Sequence, residues 1–475
     1  MYRPSGTVKR KNRSSNLYIR ITAMALLMAL CCMFLPACKK TSNSFPELPT
    51  SSSTESEETT GASPSIDVDS SEITIASSLS YETCMYLAKL YVAKSQNLLG
   101  EGVTGETVDL SYLDSIDLPF ILRVFETSEN GCDTDTLKQW KNSGDMPDVF
   151  LTNTFDAAVS EGFALPISDY VAGNRLLSAD RLYTQQISLF YAQGRQYGIP
   201  YQTSAAVLYC DMEVLRQADI LTVPFRLGTV ELNSMLEKLS ALNLEERTVL
   251  PFYQVSSMLP YLPCSMYKSG YLSASVESDR AESAYREALA FADNIIRSGY
   301  AYESMTEEEK DVFFTGLSPL LSRKVGIWTG TTDEIPIYDN YMPNTLCLMQ
   351  IPSSNDEDLP APLLVCYPLC ISSTCENPKL ACDLACFFAL DEDALLLAAR
   401  LTNREGYMPC ISSPAVWKSM TSKQKYGAYM IQLQELMDQA IYIPVVSGSE
   451  GFRKDQEYIK EQFSALYPIT EDDEA

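Results

Sequence analysis

Apolar and polar positions follow two different periods along the chain. Residues 72–80 (EITIASSLS) alternate between apolar and polar side chains, which indicates a strand, and residues 82–95 repeat apolar side chains at helical spacing. The same reading predicts a strand within residues 120–129, a helix that ends at Gly144 and a strand over residues 148–151. Strands that alternate with helices at this spacing indicate parallel or mixed sheets covered by helices. The predicted fold class is therefore α/β.

Longer segments with an apolar residue every three or four positions predict further helices. In residues 230–242 the inward face would hold Leu232, Met235, Leu236 and Leu239. The other predicted helices begin near residue 155 or run over about 279–298, 377–390, 391–402 and 422–438. Residues 73–475 amount to about 400 residues, which is more than one hydrophobic core normally serves, so at least two lobes are expected.

The first 38 residues differ sharply from the rest. Six basic residues lie between Arg3 and Arg20 with no acidic residue among them, and an apolar run follows from Ile21 to about Leu35. A basic segment before an apolar run of about 15 residues is typical of a secretory signal. Residues 35–38 (LPAC) look like a lipobox, so we expect residues 1–37 to be a signal peptide and Cys38 to be lipidated. The alternative is an uncleaved short membrane anchor.

Residues 38–72 have few apolar side chains and are rich in Ser, Thr, Glu and Pro. A segment of this composition cannot bury a core. We therefore expect a lipidated cysteine followed by a disordered linker that holds the globular part away from the membrane surface.

Charge and composition exclude several classes of function. Without the six basic residues of the signal segment, 30 Lys and Arg residues face 62 Asp and Glu residues, a net charge of about −32. So acidic a surface disfavours nucleic acid as a partner. The chain contains no histidine, which excludes Ser/His and Cys/His nucleophilic pairs and removes the commonest metal ligand. We assign no catalytic residue, cofactor or metal from the sequence.

Eleven cysteines follow Cys38, and five of them lie between Cys366 and Cys386 without a C-x-x-C spacing. Cys382 and Cys386 would share one helix face, as small core residues do. Three interpretations stay open at this point, namely buried thiols, one or two disulfides, and a soft-metal site.

Five segments in chain order carry a family pattern. They are SGDMPDVFLTNTFDAAVSEGFALPISDYV, YGIPYQTSAAVLYCDMEVLRQADI, TVPFRLGTVELNSML, RKVGIWTGTTDEIP and CENPKLACDLACFFALDEDALLLAARLTNREGYMPC. Together they resemble the family 1 extracellular solute-binding proteins, the maltose-binding-protein-like group. In that family the second segment usually has Tyr or Asn, then Lys, where this chain has Cys210 and Asp211, and the third has a tryptophan where this chain has Val230.

The resemblance implies a two-lobed periplasmic-binding-protein-like fold of class II, in which each lobe is a mixed sheet flanked by helices and hinge crossovers join the lobes. Lobe 1 would comprise residues 73–202 and 365–416, and lobe 2 residues 207–362 and 418–475. A monomer of this kind would hold a small solute, most plausibly a sugar, in the cleft and deliver it to the permease subunits of an ABC importer. It would stay on the extracellular face of the cell membrane through its N-terminal lipid.

By their positions after predicted strands or in the crossovers, eleven residues are expected to contact the solute, since α/β proteins bind ligands at the carboxyl ends of strands. Polar groups for sugar hydroxyls and aromatic rings for the sugar faces are both present. The residues are Ser78, Tyr81, Thr152, Asn153, Tyr201, Gln202, Trp328, Thr329, Thr331, Asp333 and Tyr407.

Two other functions remain open on the sequence. A sensory or structural lipoprotein could use the same fold without importing a solute. A secreted glycoside hydrolase would need two carboxylates that converge across the cleft.

Overall fold

The computed structural model describes residues 72–178, 181–183, 186, 188–243, 246–268, 279–354, 359–402, 404–443, 459 and 461–466. The predicted signal peptide 1–37, the lipidation site Cys38 and the linker up to residue 71 lie outside the described residues, as does much of the chain after residue 443. Within the described part, no helix combines the length and the apolar character needed to cross a bilayer.

The strands predicted from alternation are confirmed. The first three are β1, β2 and β3, and short strands β4 and β5 form a separate hairpin before the long strand β6. Their bounds are Glu72–Ser77 (β1), Ile121–Glu126 (β2), Val149–Leu151 (β3), Tyr191–Ala192 (β4), Arg195–Gln196 (β5), Gly198–Asp211 (β6), Leu250–Tyr253 (β7), Val325–Thr331 (β8), Leu346–Gln350 (β9), Leu363–Ile371 (β10) and Ile441–Tyr442 (β11).

Nine of these strands form one mixed sheet in the order β2-β1-β3-β10-β6-β8-β7, with β11 beside β10 and β9 beside β6. Strands β1, β2 and β3 are parallel to one another, and β10 runs antiparallel to both β3 and β6. On the far side β6 pairs antiparallel with β8 and β9, and β7 is parallel to β8. The strands of the two halves are thus connected through β6 and β10.

Strand β6 belongs to both halves of the molecule. Its first part pairs with β10 from Gly198 to Ala206, and its second part, from Ala206 to Asp211, pairs with β8 or β9. All 14 of its residues are buried. A strand buried on both faces requires the nearly continuous run of apolar and small residues found in this segment.

Helices cover the sheet, and those predicted near residues 82–95, 230–242, 279–298, 377–390 and 391–402 are found within two residues of the expected bounds. They are Tyr81–Ser95 (α1), Leu110–Asp114 (α2), Thr134–Ser143 (α3), Phe155–Ser160 (α4), Ser168–Val171 (α5), Met212–Gln217 (α6), Thr229–Ser240 (α7), Leu262–Tyr267 (α8), Asp279–Arg297 (α9), Glu307–Phe314 (α10), Ile335–Tyr341 (α11), Pro378–Leu390 (α12), Glu392–Leu401 (α13), Pro414–Thr421 (α14) and Gly427–Gln434 (α15).

One predicted helix is wrong in its extent. Apolar spacing predicts a helix over 422–438, but α15 begins only at Gly427. The buried carboxylate of Glu405 accepts hydrogen bonds from the backbone N–H groups of Lys425 and Tyr426, which holds the chain in a turn before the helix starts. A long-range contact therefore sets the boundary that the local pattern misplaces.

The buried side chains form two clusters. One contains β1, α1, α12 and α13 and continues along one face of β6 through Val207 and Tyr209. The other includes α7 and α9 and takes the opposite face of β6 through Leu208 and Cys210. Because side chains alternate across a strand, β6 contributes to both clusters.

The cysteines in the described residues behave as core residues. No disulfide joins any of the eleven, and nine of them are buried. Cys382 and Cys386 are both completely buried in α12, as their helical spacing predicts.

An ion pair at the end of β6 gives a test of the packing. Asp211 is fully buried, and the guanidinium of Arg323 contacts its carboxylate at 2.7 and 3.2 Å. We expect Arg323→Met to lower the free energy of unfolding by about 3 kcal/mol, because it leaves a buried carboxylate without its counter-charge. Urea unfolding measures this loss.

The matched control is Arg297→Met, which removes a largely exposed guanidinium that contacts Asp293 one helical turn away. Its expected effect is below about 0.5 kcal/mol. Equal losses in the two variants would contradict the burial of Asp211.

Candidate functional site

A cavity of about 330 Å³ lies at the carboxyl ends of the parallel strands β7 and β8. It is bounded by the end of β8, the turn after β7 and the first residues of α11. Its lining residues are Tyr253, Gln254, Ser257, Tyr261, Leu320, Trp328, Thr329, Gly330, Thr331, Glu334 and Tyr338. The position agrees with the rule that α/β proteins bind ligands at strand carboxyl ends.

Aromatic rings form one wall of this cavity. Trp328 stacks on Tyr209 with ring centroids 5.6 Å apart, and Tyr338 contacts both rings edge to face at 5.4 and 4.8 Å. The hydroxyl of Tyr209 donates to the carbonyl oxygen of Thr331 at 2.6 Å. The rings are therefore held in place before any ligand arrives.

Glu334 lies at the cavity with its carboxylate fixed by a capping box. Its Oε2 accepts a hydrogen bond from the backbone N–H of Thr331 at 2.8 Å. Burial raises the pKa of Glu334 to about 7, and the neighbouring carboxylate of Asp333 adds to the shift. The Oδ1 atom of Asp333 is itself buried without a hydrogen-bond partner among the described residues.

A second polar cluster lies at the crossover, where β1 ends and β6 passes from one half to the other. The amide oxygen of Gln202 accepts from Arg404 Nη2 at 2.5 Å and from Ser78 Oγ at 3.0 Å, and its nitrogen donates to the carbonyl of Glu129. The guanidinium of Arg404 lies over the ring of Tyr201, at 5.0 Å from its centroid.

The loop that carries Arg404 is held to β6 and to the turn after β8 through Thr332. Tyr407 places its ring 5.2 Å from the Arg404 guanidinium. Thr332 Oγ1 donates to the carbonyl of Gly406 at 2.6 Å and accepts from the backbone N–H of Ala205 at 3.0 Å. A Cβ at Gly406 would lie 1.8 Å from the carbonyl oxygen of Thr332, and its φ of +82° is left-handed, so glycine is required here.

The residues predicted from the sequence divide into three groups. Trp328, Thr329 and Thr331 line the cavity. Ser78, Tyr201, Gln202 and Tyr407 surround Arg404.

Four predicted residues lie outside these two contact sets. Thr152 is fully buried and donates its hydroxyl to the carbonyl of Cys132, while half of Tyr81 is exposed. Asn153 has its Oδ1 buried without a partner among the described residues, and Asp333 adjoins Glu334.

Nine further residues at these sites are absent from the sequence-based set: Tyr253, Gln254, Ser257, Tyr261, Leu320, Gly330, Glu334, Tyr338 and Arg404. The sequence does carry a signal for Glu334, because Thr331 followed by Glu334 three residues later matches the capping-box pattern. Tyr253 and Gln254 end a strand, β7, that the apolar pattern does not separate from its surroundings. Tyr261 and Tyr338 reach the cavity only through tertiary packing.

The raised pKa of Glu334 predicts a pH dependence of stability. A carboxyl group with a higher pKa in the folded state binds more protons there, so its contribution to stability falls as the pH rises from 4.5 to about 7. Between pH 5 and pH 7 we expect a loss of about 1–2 kcal/mol from this group. The Glu334→Gln variant retains a side-chain oxygen for the Thr331 N–H but has no carboxyl group to titrate. In this variant the decrease in unfolding free energy between pH 5 and pH 7 should be smaller by that amount.

Urea unfolding at several pH values tests this expectation. The chain contains no histidine, so no histidine side chain contributes to the pH dependence in this range. The control is Glu309→Gln, because Glu309 closes a second capping box with Thr306 but is exposed, and hydrogen bonds lower its pKa. A wild-type slope in Glu334→Gln would show that the carboxyl group is not buried as described.

No protein-family model and no curated protein matches the chain. Solved structures do match it. An ABC substrate-binding protein from Listeria monocytogenes, in complex with cycloalternan, is 13% identical with a TM-score of 0.56, over 85% of this chain and 100% of that one.

Two more solved structures match the fold of this chain. The cyclic α-maltosyl-1,6-maltose binding protein from Arthrobacter globiformis is 12% identical with a TM-score of 0.57, over 84% of this chain and 94% of that one. The GacH receptor of Streptomyces glaucescens, solved unliganded and with acarbose, is 15% identical with a TM-score of 0.53, over 83% and 94%. The chain therefore has the two-lobed fold of the periplasmic solute-binding proteins.

Proposed function

We propose that the chain is an extracytoplasmic receptor that binds a small carbohydrate and delivers it to an ABC importer. The observation that carries the proposal is the cavity at the ends of β7 and β8, with its rigid aromatic wall and its ring of polar groups. The solved structures with this fold that were captured with cycloalternan, acarbose or mannotriose support the choice of a sugar.

The cavity has the chemistry that a sugar requires. The half-buried rings of Tyr253 and Tyr338 offer flat apolar surfaces for the C–H groups of a pyranose ring, and the fully buried Trp328 supports the wall behind them. Thr329 Oγ1 is buried without a partner among the described residues, so a ligand hydroxyl could satisfy it. A volume of about 330 Å³ suits one or two sugar units.

Closure would occur about the crossover strands. We assign residues 73–202 and 365–416 to lobe 1 and residues 207–362 and 418–475 to lobe 2, so that two of the three boundaries fall on β6 and β10 and the third falls in α14. A ligand that contacts the cavity on one lobe and the Arg404 cluster on the other would bind the closed form more tightly. Only that difference in affinity would shift the chain towards closure.

The partners follow from the proposed transport role. The permease subunits would recognise the closed receptor. Two acyl chains on Cys38 would anchor the receptor at the extracellular face of the cell membrane. We propose that it acts as a monomer. We propose no enzymatic activity and no cofactor.

Sugar binding can be tested with the purified full-length chain by isothermal titration calorimetry against cyclic and linear α-glucans, mannotriose and cello-oligosaccharides. Tyr253→Ala should weaken binding of the sugar that binds best by about tenfold, because it removes one ring that would stack on the ligand. The product of each titration should be the unchanged sugar, as chromatography would show.

Tyr91→Ala is the matched control. Tyr91 contacts Phe387 edge to face at 5.4 Å, much as Tyr253 contacts Tyr302 at 5.1 Å, and both tyrosines are half-buried, but Tyr91 does not line the cavity. This variant should bind as the wild type does. Binding of no sugar would refute the proposal, and release of hydrolysed sugar would favour the glycoside hydrolase.

A further inference from the structure

The cavity is acidic, and the described residues that line it include no lysine or arginine. Glu334 is the carboxylate among them, and the other polar groups are neutral. The titratable groups that interact with Glu334 are Asp333, Tyr209, Tyr261, Tyr338 and Tyr367, none of which is basic. The site therefore offers a carboxyl group without a cation of its own, and a cationic ligand beside that group would favour its ionised form.

The basic residues nearby have other partners. Lys425 contacts Asp339 at 2.6 Å, and the hydroxyl of Tyr426 also donates to that carboxylate. Arg404 lies between two tyrosine rings and donates to Gln202. Neither residue lines the cavity, so neither neutralises Glu334 from within it.

The lining residues leave polar atoms free for a ligand. Thr329 Oγ1 and Trp328 Nε1 are buried without a partner among the described residues, and Glu334 uses Oε2 for the backbone N–H of Thr331. Asp333 does not line the cavity, but its Oδ1, next to Glu334 in the chain, is a buried acceptor without a partner among the described residues. A buried polar atom without a partner costs about 1–3 kcal/mol, and a hydrogen bond to a ligand would recover that cost.

Aromatic faces beside a carboxylate are the usual surroundings of a bound ammonium group. Here Tyr253, Tyr261, Trp328 and Tyr338 all line the cavity that Glu334 enters. The net charge of −26 over the whole chain would also attract a cation to the site.

We propose that this cavity selects a sugar unit with a free, protonated amino group, such as a hexosamine residue, and that Glu334 is the residue that recognises the ammonium. The inference rests on the proposed carbohydrate-binding function and narrows its ligand class. Glu334 pairs with the ammonium while the aromatic rings pack on the sugar ring and on the cation.

Three disaccharides with the same β-1,4 linkage distinguish the effect of ligand charge on affinity from the effect of ligand shape. They are the glucosamine disaccharide, its N-acetylated form and cellobiose, each titrated calorimetrically into the full-length chain at pH 7. We expect the glucosamine disaccharide to bind at least about tenfold more tightly than the two neutral sugars, with an advantage that shrinks as salt is added.

Glu334→Gln should reduce that advantage to about twofold or less, and its unfolding transition shows that the variant is folded. Glu309→Gln removes the same charge at an exposed position outside the cavity, so it should retain the full preference and thereby exclude a general effect of net charge. Equal affinities for the charged and neutral disaccharides, or an undiminished preference in Glu334→Gln, would overturn the inference.

The two proposals fail in different ways. If a neutral sugar binds in the cavity and the glucosamine disaccharide has no advantage, the receptor function stands and the ammonium inference falls. If no saccharide of either kind binds, both fall.

Discussion

The fold depends on strand β6, which has to satisfy its backbone hydrogen bonds along both edges while both of its faces are buried. Buried N–H and C=O groups without partners would each cost as much as a lost hydrogen bond. Pairing with β10, β8 and β9 supplies those partners, and the two hydrophobic clusters cover the two faces. One strand thereby connects two halves that could each bury a core.

This arrangement also positions the candidate site. Because β6 and β10 cross between the halves, the end of β8 and the loop with Arg404 are brought against the same stretch of β6. Thr332 contacts Ala205 and Gly406 there with one hydroxyl group. A ligand that fills the cavity would lie beside β6, about which we propose that the halves close.

The residues at the site limit the reactions that it could catalyse. The chain has no histidine to act as a base near neutral pH. Glu334 is the carboxylate among the described lining residues, and Asp333 is its neighbour on the same turn rather than a group facing it across a bond. Aromatic rings, unmatched polar atoms and a buried carboxyl group are suited to binding a ligand that forms hydrogen bonds.

The sequence by itself determined the α/β class and the approximate bounds of β1 to β3 and of helices such as α1, α7, α12 and α13, because these depend on local periodicity. It left buried cysteine thiols as one of three interpretations, and the structure decided between them. It also indicated Trp328, Thr329 and Thr331, since they end a strand. Only the tertiary structure decided that Tyr261, Tyr338 and Arg404 lie at these sites and that α15 starts at Gly427. These features depend on contacts between residues far apart in the chain, such as Glu405 with Tyr426 or Gln202 with Arg404, which no local pattern encodes.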